Sequence, residues 1–168
     1  MSITEHKKDS LSVNVMVLTI SDTRTEETDK SGQKMKELLK QHNHQVIAYE
    51  IVKDDKEEIE QVLLKGCRNP QIQVILTNGG TGLANRDVTF DILQQIIEKP
   101  ILGFGELFRM LSYEEIGSAT MLSRAMAGIA QQTVIFSVPG STGAVSLAME
   151  KLILPELAHI VREINKDT

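Results

Sequence analysis

The chain has few of the residues that build cross-links, metal clusters and aromatic surfaces. Its 168 residues include one cysteine, no tryptophan and four prolines, and aromatic residues make up 4% of the sequence. The single cysteine, Cys67, excludes an intrachain disulfide and a cysteine-cluster metal site. Its place in a predicted helix marks it as a small core residue. The four histidines also lack the spacing of metal ligands.

An excess of positive charge and long apolar runs are missing as well. The net charge of −5 at pH 7 argues against a nucleic-acid-binding protein, which needs a basic face. There is no apolar run of about 18 residues and no charged-then-apolar leader, so we expect a cytoplasmic protein without membrane contact. The length and the hydrophobic content of 41% suit one soluble α/β domain with a sizeable core.

Alternating strand and helix patterns predict the fold. Buried aliphatic runs predict strands at residues 13–20, 46–52, 72–78, 128–130 and 133–138. Amphipathic spacing predicts helices at residues 31–42, from Asp55 onward, and at 89–98, 103–111, 118–127, 144–151 and 155–165. The core face of the fourth helix is expected to hold Phe104, Leu107, Phe108 and Leu111. This order predicts a mostly parallel sheet with helices on both faces, in one domain over residues 13–168. Residues 1–12 are predicted to form a loose arm.

The stretch at residues 74–89 organises the chain. Its buried strand ends at Asn78, continues into three glycines within residues 79–82, and then becomes a helix. Strand, glycine-rich turn and helix is the layout that presents backbone N–H groups to a phosphate. Arg86 supplies a cation for phosphate, and Asp87 supplies a carboxylate that can hold a metal ion or accept a proton. The alternative is a tight turn with polar caps; the P-loop and dinucleotide-binding spacings do not match.

Polar residues also follow the other predicted strands. The carboxyl ends of strands form the ligand crevice in an open α/β sheet, so Ser21, Asp22 and Asp54 are site candidates. Turn formation and capping are the alternative roles of Ser21 and Asp22. Adjacent aspartates at a helix start are normally caps, but Asp55 fits a capping box and leaves Asp54 for the site. A second strand-to-helix turn, at residues 139–143, can face the same crevice.

Together these motifs resemble those of the MoaB/MogA family of molybdenum cofactor biosynthesis proteins, whose domain also occurs in gephyrin and the plant Cnx proteins. The resemblance covers about residues 13–160. It rests on residues 21–22 (SD), 52–55 (VKDD), 77–82 (TNGGTG), 86–89 (RDVT), 103–106 (GFGE), 122–124 (LSR) and 138–141 (VPGS). The run at residues 103–117 is most similar to the MoaB branch.

The resemblance implies a three-layer α/β/α sandwich that forms trimers or hexamers, and an activity, the adenylylation of molybdopterin. In that reaction Mg-ATP and the phosphorylated pterin dithiolene give adenylylated molybdopterin and pyrophosphate. Asp54 and Asp87 would be the catalytic carboxylates and would also hold Mg²⁺. The residues implied in binding nucleotide phosphates are Ser21, Asp22, Gly79, Gly80, Thr81, Gly82 and Arg86. The residues implied in binding the pterin are Glu106, Ser123, Arg124, Pro139, Gly140 and Ser141.

The sequence departs from the family pattern in two places. Asn78 stands where many members carry a smaller residue, and residues 139–142 (PGST) lack the second proline of the family's Pro-Gly-Asn-Pro version. A non-catalytic pterin carrier of the same pathway and a purely structural oligomer are the alternative functions. The apolar-rich region at residues 101–126 predicts a homo-oligomer, and other molybdenum cofactor biosynthesis proteins are expected partners.

Overall fold

The computed structural model describes residues 11–168. The predicted loose arm at residues 1–12 therefore lies outside the described residues, apart from its last two positions. In chain order the elements are β1 (Asn14–Ile20), α1 (Lys30–Gln41), β2 (Gln45–Val52), α2 (Lys56–Arg68), β3 (Val74–Asn78), α3 (Thr89–Ile96), β4 (Lys99–Pro100), α4 (Leu102–Ile116), a 3₁₀ turn (Gly117–Leu122), β5 (Met126–Ala130), β6 (Thr133–Val138), α5 (Thr142–Ala148), a π-helical segment (Met149–Ile153) and α6 (Leu154–Ile164).

The strands form one six-stranded sheet in the order β2-β1-β3-β6-β5-β4. Strands β1, β2, β3 and β6 are parallel, whereas β5 runs antiparallel to β6 and to the short strand β4. The predicted α/β fold with a mostly parallel sheet is confirmed. Because β1, β2, β3 and β6 point the same way, the loops that follow them meet at one edge of the sheet.

Two hydrophobic cores lie on opposite faces of the sheet. One core joins the sheet to α1, α4, α5 and α6, and the other joins it to α2 and α3. Side chains alternate between the faces along each strand, so in β3 Leu76 enters the first core and Ile75 enters the second. Cys67 is buried in the second core, as predicted. Each face of the sheet is thus covered, which is the three-layer arrangement.

The predicted helix at residues 118–127 is wrong. Helix α4 continues to Ile116 and ends at Gly117, which has a positive φ of 68°, a conformation that glycine adopts readily. The chain then makes a 3₁₀ turn, and its next strand pairs with β6 from Met126 onward. Ser123 and Arg124 therefore lie on an extended connection, because pairing with the sheet outweighs the local preference for a helix.

Leu107 was expected in the core, but 46% of it is exposed. Phe104 and Phe108 are buried, and both rings belong to the core cluster on this face of the sheet. Residues four positions apart share one helix face, and this pair takes up the narrow stripe that touches the sheet. Leu107 lies at the outer margin of that stripe, where it joins other exposed apolar residues of α4.

The two predicted C-terminal helices are joined into one helical run. Between them, the N–H of Leu154 bonds to the carbonyl of Met149, five residues earlier, which is a π-helical turn. Pro155 follows at once, and proline has no N–H and crowds the carbonyl four residues back. The wider π turn accommodates this proline, so the helix passes it without a break.

No helix between Leu11 and Thr168 has the length and apolar character that crossing a membrane requires.

Strands β5 and β6 are joined by a two-residue hairpin turn, Gln131-Gln132. Both residues have positive φ, 50° and 73°, as in a type I′ turn, where Asn-Gly is strongly preferred. We predict that changing Gln131→Asn together with Gln132→Gly raises stability by about 1 kcal/mol, because glutamine is strained in this conformation. Thermal unfolding should show a rise of about 2–4 °C. Gln132→Val should lower the unfolding midpoint. Equal midpoints for Gln132→Val and the Asn-Gly variant would contradict the turn assignment.

Candidate functional site

A small polar crevice lies at the carboxyl edge of the parallel strands. Its volume is about 170 Å³. It is lined by eight of the predicted site residues: Ser21, Asp22, Asp54, Gly79, Gly80, Arg86, Asp87 and Gly140. The predicted residues that do not line it are Thr81, Gly82, Glu106, Ser123, Arg124, Pro139 and Ser141. Ile20, Thr23 and Arg24 also line the crevice, and the motif analysis did not single them out.

The glycine loop is shaped by close contact between backbones. Gly79 and Gly80 have φ of 101° and 69°, and a Cβ on Gly79 would lie 2.2 Å from the carbonyl oxygen of Ile20. A Cβ on Gly80 would lie 2.3 Å from the hydroxyl oxygen of Thr89. The N–H of Gly79 donates to Val138, so the loop is fastened to both neighbouring strands. Only glycine permits both the positive φ and these approaches.

Three carboxylates, those of Asp22, Asp54 and Asp87, line the crevice from the loops that follow β1, β2 and β3. The N–H of Asp54 donates to the carboxylate of Asp22 over 3.0 Å, and the N–H of Ala84 donates to that of Asp87 over 3.0 Å. Partial burial raises the pKa of Asp54, and the charges of Asp22 and Asp87 raise it further, while Arg86 opposes them. Burial is the larger cause, and the two neighbouring carboxylates add to it because they disfavour a further negative charge.

Asp55 and not Asp54 caps α2, as the sequence suggested. Asp55 is the N-cap of α2, and its carboxylate accepts the N–H of Glu58 over 2.9 Å. The second hydrogen bond of the predicted capping box, from the N–H of Asp55 to the side chain of Glu58, does not form. That N–H donates instead to the carbonyl of Lys53. Asp54, which lines the crevice, is not needed for the cap.

The donor set suits a cation shared with a phosphate. Between residues 11 and 168, no three or more His, Cys, Asp or Glu side chains are grouped closely enough to hold a metal ion by themselves. Mg²⁺ is commonly held by one or two carboxylates together with substrate phosphates and water. Asp54 and Asp87 fit that role, because a cation would relieve the repulsion that raises the pKa of Asp54.

Arg124 contacts the glycine loop from outside the crevice. Its guanidinium donates to the carbonyl oxygens of Gly82 and Asp87, over 3.2 Å and 2.8 Å. It also pairs with the carboxylate of Asp91 and lies over the ring of Phe90. These contacts hold the loop that carries Asp87. The pterin role that the resemblance implies for Arg124 stays a prediction.

The remaining pterin-side residues have separate surroundings. Ser141 is the N-cap of α5, and its hydroxyl accepts the N–H of Ala144 over 3.1 Å. Glu106 lies on the exposed side of α4, and Ser123 begins the extended connection before β5. The structure therefore brings Gly140 to the crevice but not Glu106 or Ser123.

A buried polar network under the crevice was not predicted. The amide of Asn78 donates to Thr19 over 2.9 Å and accepts from Arg24 over 3.2 Å, and Thr19 donates to Asp29 over 2.6 Å. Asp29 is fully buried and also accepts from the hydroxyl of Tyr49; burial and this bond raise the tyrosine pKa. The available signal in the sequence was Asn78 itself, a polar residue that ends an aliphatic strand.

Known proteins resemble the whole chain in sequence and in structure. A family described as a probable molybdopterin binding domain matches residues 16–159. Molybdenum cofactor biosynthesis protein B of Bacillus cereus is 58% identical over 168 residues, which is 99% of each protein. A crystal structure of a molybdenum cofactor biosynthesis protein B has a TM-score of 0.91 at 57% identity, covering 95% of this chain and 99% of that one. The tungsten cofactor synthesizing protein MoaB of Pyrococcus furiosus has a TM-score of 0.82 at 37% identity, covering 91% and 97%.

Partial burial and the neighbouring carboxylates should make ionised Asp54 destabilise the protein relative to a variant that is neutral at this position. A raised pKa in the folded state means that ionising Asp54 costs more there than in the unfolded chain, so stability is lost as pH rises through that pKa. We predict that Asp54→Asn raises the free energy of unfolding at pH 7 by less than about 1 kcal/mol, since solvent screens this half-buried group. The gain should vanish near pH 4, close to the ordinary carboxyl pKa.

Urea unfolding at both pH values measures this effect. Asp55→Asn is the matched control, because asparagine caps a helix about as well as aspartate and Asp55 does not line the crevice. Equal stabilities of Asp54→Asn and the unmodified protein at pH 7 would show that ionised Asp54 does not destabilise the fold.

Proposed function

Because this chain belongs to the molybdopterin-binding domain family of molybdenum cofactor biosynthesis proteins, we propose that it transfers the adenylyl group of ATP to molybdopterin. The observation that carries the proposal is the crevice in which the glycine loop, Arg86 and three carboxylates converge. Nucleotidyl transfer requires positioned phosphates and neutralised charge more than an activated protein nucleophile. A protein acting on ATP and a phosphorylated pterin would work in the cytoplasm, as expected above.

The reaction needs no covalent step on the protein. An oxygen of the pterin's terminal phosphate attacks the α-phosphorus of ATP, and the bond from that phosphorus to the bridging oxygen breaks. The electron pair of that bond leaves with pyrophosphate, and the product is a phosphoanhydride. In this scheme the backbone N–H of Gly80 binds a phosphate oxygen and Arg86 neutralises the phosphate charge. Asp54 and Asp87 would hold Mg²⁺, which supplies charge neutralisation at the leaving pyrophosphate when bound.

The size of the crevice limits what it can hold. A typical small-molecule pocket is about 300–1,000 Å³, whereas this one is about 170 Å³. It suits the phosphates, while the adenine and pterin rings would lie on the adjoining surface. The second strand-to-helix turn, at Gly140, borders the crevice on the side away from Asp54's loop, so the pterin phosphate would approach there.

Turnover and its dependence on Asp87 are the direct test. We expect the purified protein with Mg-ATP and molybdopterin to release pyrophosphate. Asp87→Asn should lower the rate roughly 100-fold or more, because it removes one of the two carboxylates that would hold Mg²⁺ at the leaving pyrophosphate. Asparagine keeps an oxygen that can accept the N–H of Ala84, so the loop should persist. Asp55→Asn, the same chemical change at a helix cap, should keep the rate.

The alternatives predict different results in the same assay. Pterin binding without any pyrophosphate release would favour the non-catalytic carrier. Absence of both pterin and nucleotide binding would favour a purely structural protein.

We also propose that copies of this chain associate through α4 and the 3₁₀ turn. These two elements expose seven large apolar side chains, which are Leu102, Leu107, Met110, Tyr113, Ile116, Met121 and Leu122. So many exposed large apolar side chains on two consecutive elements are unusual on a monomer. A homotrimer or hexamer would cover it, as the resemblance implies.

Light scattering at micromolar concentration should give the mass of a trimer or hexamer, and Met110→Lys should shift it toward the monomer because a buried lysine lacks a partner. Ile47→Lys is the matched control, since Ile47 is exposed on the edge strand β2. A monomeric mass for the unmodified protein would overturn the proposal.

A further inference from the structure

Arg24 is the more deeply held of the two arginines that line the crevice. Its side chain is 29% exposed, whereas that of Arg86 is 72% exposed. Arg86 lies 3.9 Å from the carboxylate of Asp22, and its charge also acts on Asp54. An arginine at that distance and exposure is weakly fixed, so Arg86 can follow a ligand but does not define where it binds.

The guanidinium of Arg24 is fixed by three groups from different parts of the chain. It donates to the side-chain oxygen of Asn78 over 3.2 Å and to the carbonyl of Gly140 over 2.7 Å. The buried carboxylate of Asp29 lies 3.6 Å away. Asn78 and Asp29 are fully buried and bonded to Thr19. The cation is thus set in place before any ligand arrives, which lowers the entropic cost of binding.

Arg24 also lies where two loops meet. A Cβ added to Gly140 would be 3.4 Å from the Cα of Gly79 and 3.4 Å from a terminal nitrogen of Arg24. The glycine loop and the turn at Gly140 therefore touch beside the guanidinium. In the proposed reaction the first loop serves the nucleotide and the second serves the pterin, so Arg24 stands between the two substrates.

We propose that Arg24 binds the phosphate oxygens at this junction and so brings the two anionic substrates together. The inference rests on the proposed function for the identity of the substrates. A guanidinium has more N–H donors than its bonds to Asn78 and Gly140 use, and its planar fork matches phosphate geometry. The three crevice carboxylates would repel a phosphate, and this cation offsets that repulsion at the point of attack.

A structural role would also explain the contacts of Arg24, so the test must separate charge from hydrogen bonding. Arg24→Gln keeps an amide that can donate to Asn78 or Gly140 but removes the charge. Arg24→Lys keeps the charge but loses the fork. Arg109→Gln is the matched control, because the guanidinium of Arg109 likewise donates to a main-chain carbonyl, that of Ala125 over 2.9 Å, and lies outside the crevice.

Calorimetric titration with Mg-pyrophosphate and with Mg-ATP measures the binding, and thermal unfolding reports on the fold. We expect Arg24→Gln to weaken both ligands roughly 10- to 100-fold, the usual loss of a charge-assisted hydrogen bond, while its unfolding midpoint stays close to that of Arg109→Gln. Arg24→Lys should recover part of the affinity. The inference would be overturned if Arg24→Gln bound both ligands as tightly as the unmodified protein, or if the unmodified protein did not bind pyrophosphate. It would also be overturned if Arg24→Gln and Arg109→Gln lost equal affinity and both had a lowered unfolding midpoint.

The pyrophosphate-release assay separates this inference from the proposed function. If the unmodified protein releases pyrophosphate and Arg24→Gln does so at the same rate, the role of Arg24 fails and the activity stands. If phosphate binding depends on the Arg24 charge but the unmodified protein never turns over, the adenylyl-transfer proposal fails and the phosphate site stands.

Discussion

The close approach of Gly79 to the carbonyl of Ile20 is the constraint on which the site depends. A Cβ at this position would lie 2.2 Å from that oxygen, so only glycine lets β3 leave the sheet beside the end of β1. The same contact brings the loop after β1, with Asp22 and Arg24, against the loop that carries Asp87. Any larger residue at this position would push the two loops apart. The crevice would then change shape even though all of its charged residues were still present.

The site is assembled against electrostatic preference. Asp22, Asp54 and Asp87 come from three separate loops, and together with burial their charges raise the pKa of Asp54. A fold selected for stability alone would not gather these charges, whereas perturbed carboxylates in a crevice are typical of functional sites. Stability must therefore come from elsewhere, and the two aliphatic cores on either face of the sheet supply it.

The arginines around the crevice differ in what their surroundings let them do. Arg124 lies outside the crevice and donates to the carbonyls of Gly82 and Asp87 while pairing with Asp91. Its contacts therefore stabilise the conformation of the glycine loop. Arg24 is anchored from below by buried polar groups and still lines the crevice. Arginine therefore occupies one position that holds a loop and another that lines the crevice, and only the contacts distinguish the two.

Local pattern and spacing in the sequence by themselves determined the parallel α/β fold, the glycine turn after β3, and the assignment of the cap to Asp55. Each of these follows from neighbours a few residues apart. Tertiary structure alone decided that the strand predicted at residues 128–130 begins at Met126, because it pairs with β6 from there, and that Leu107 faces outward. It also decided the place of Arg24, whose partners Asn78 and Gly140 are 54 and 116 residues away in the chain. Contacts at such separations leave no periodic trace, since the fold brings them together and no local preference encodes them.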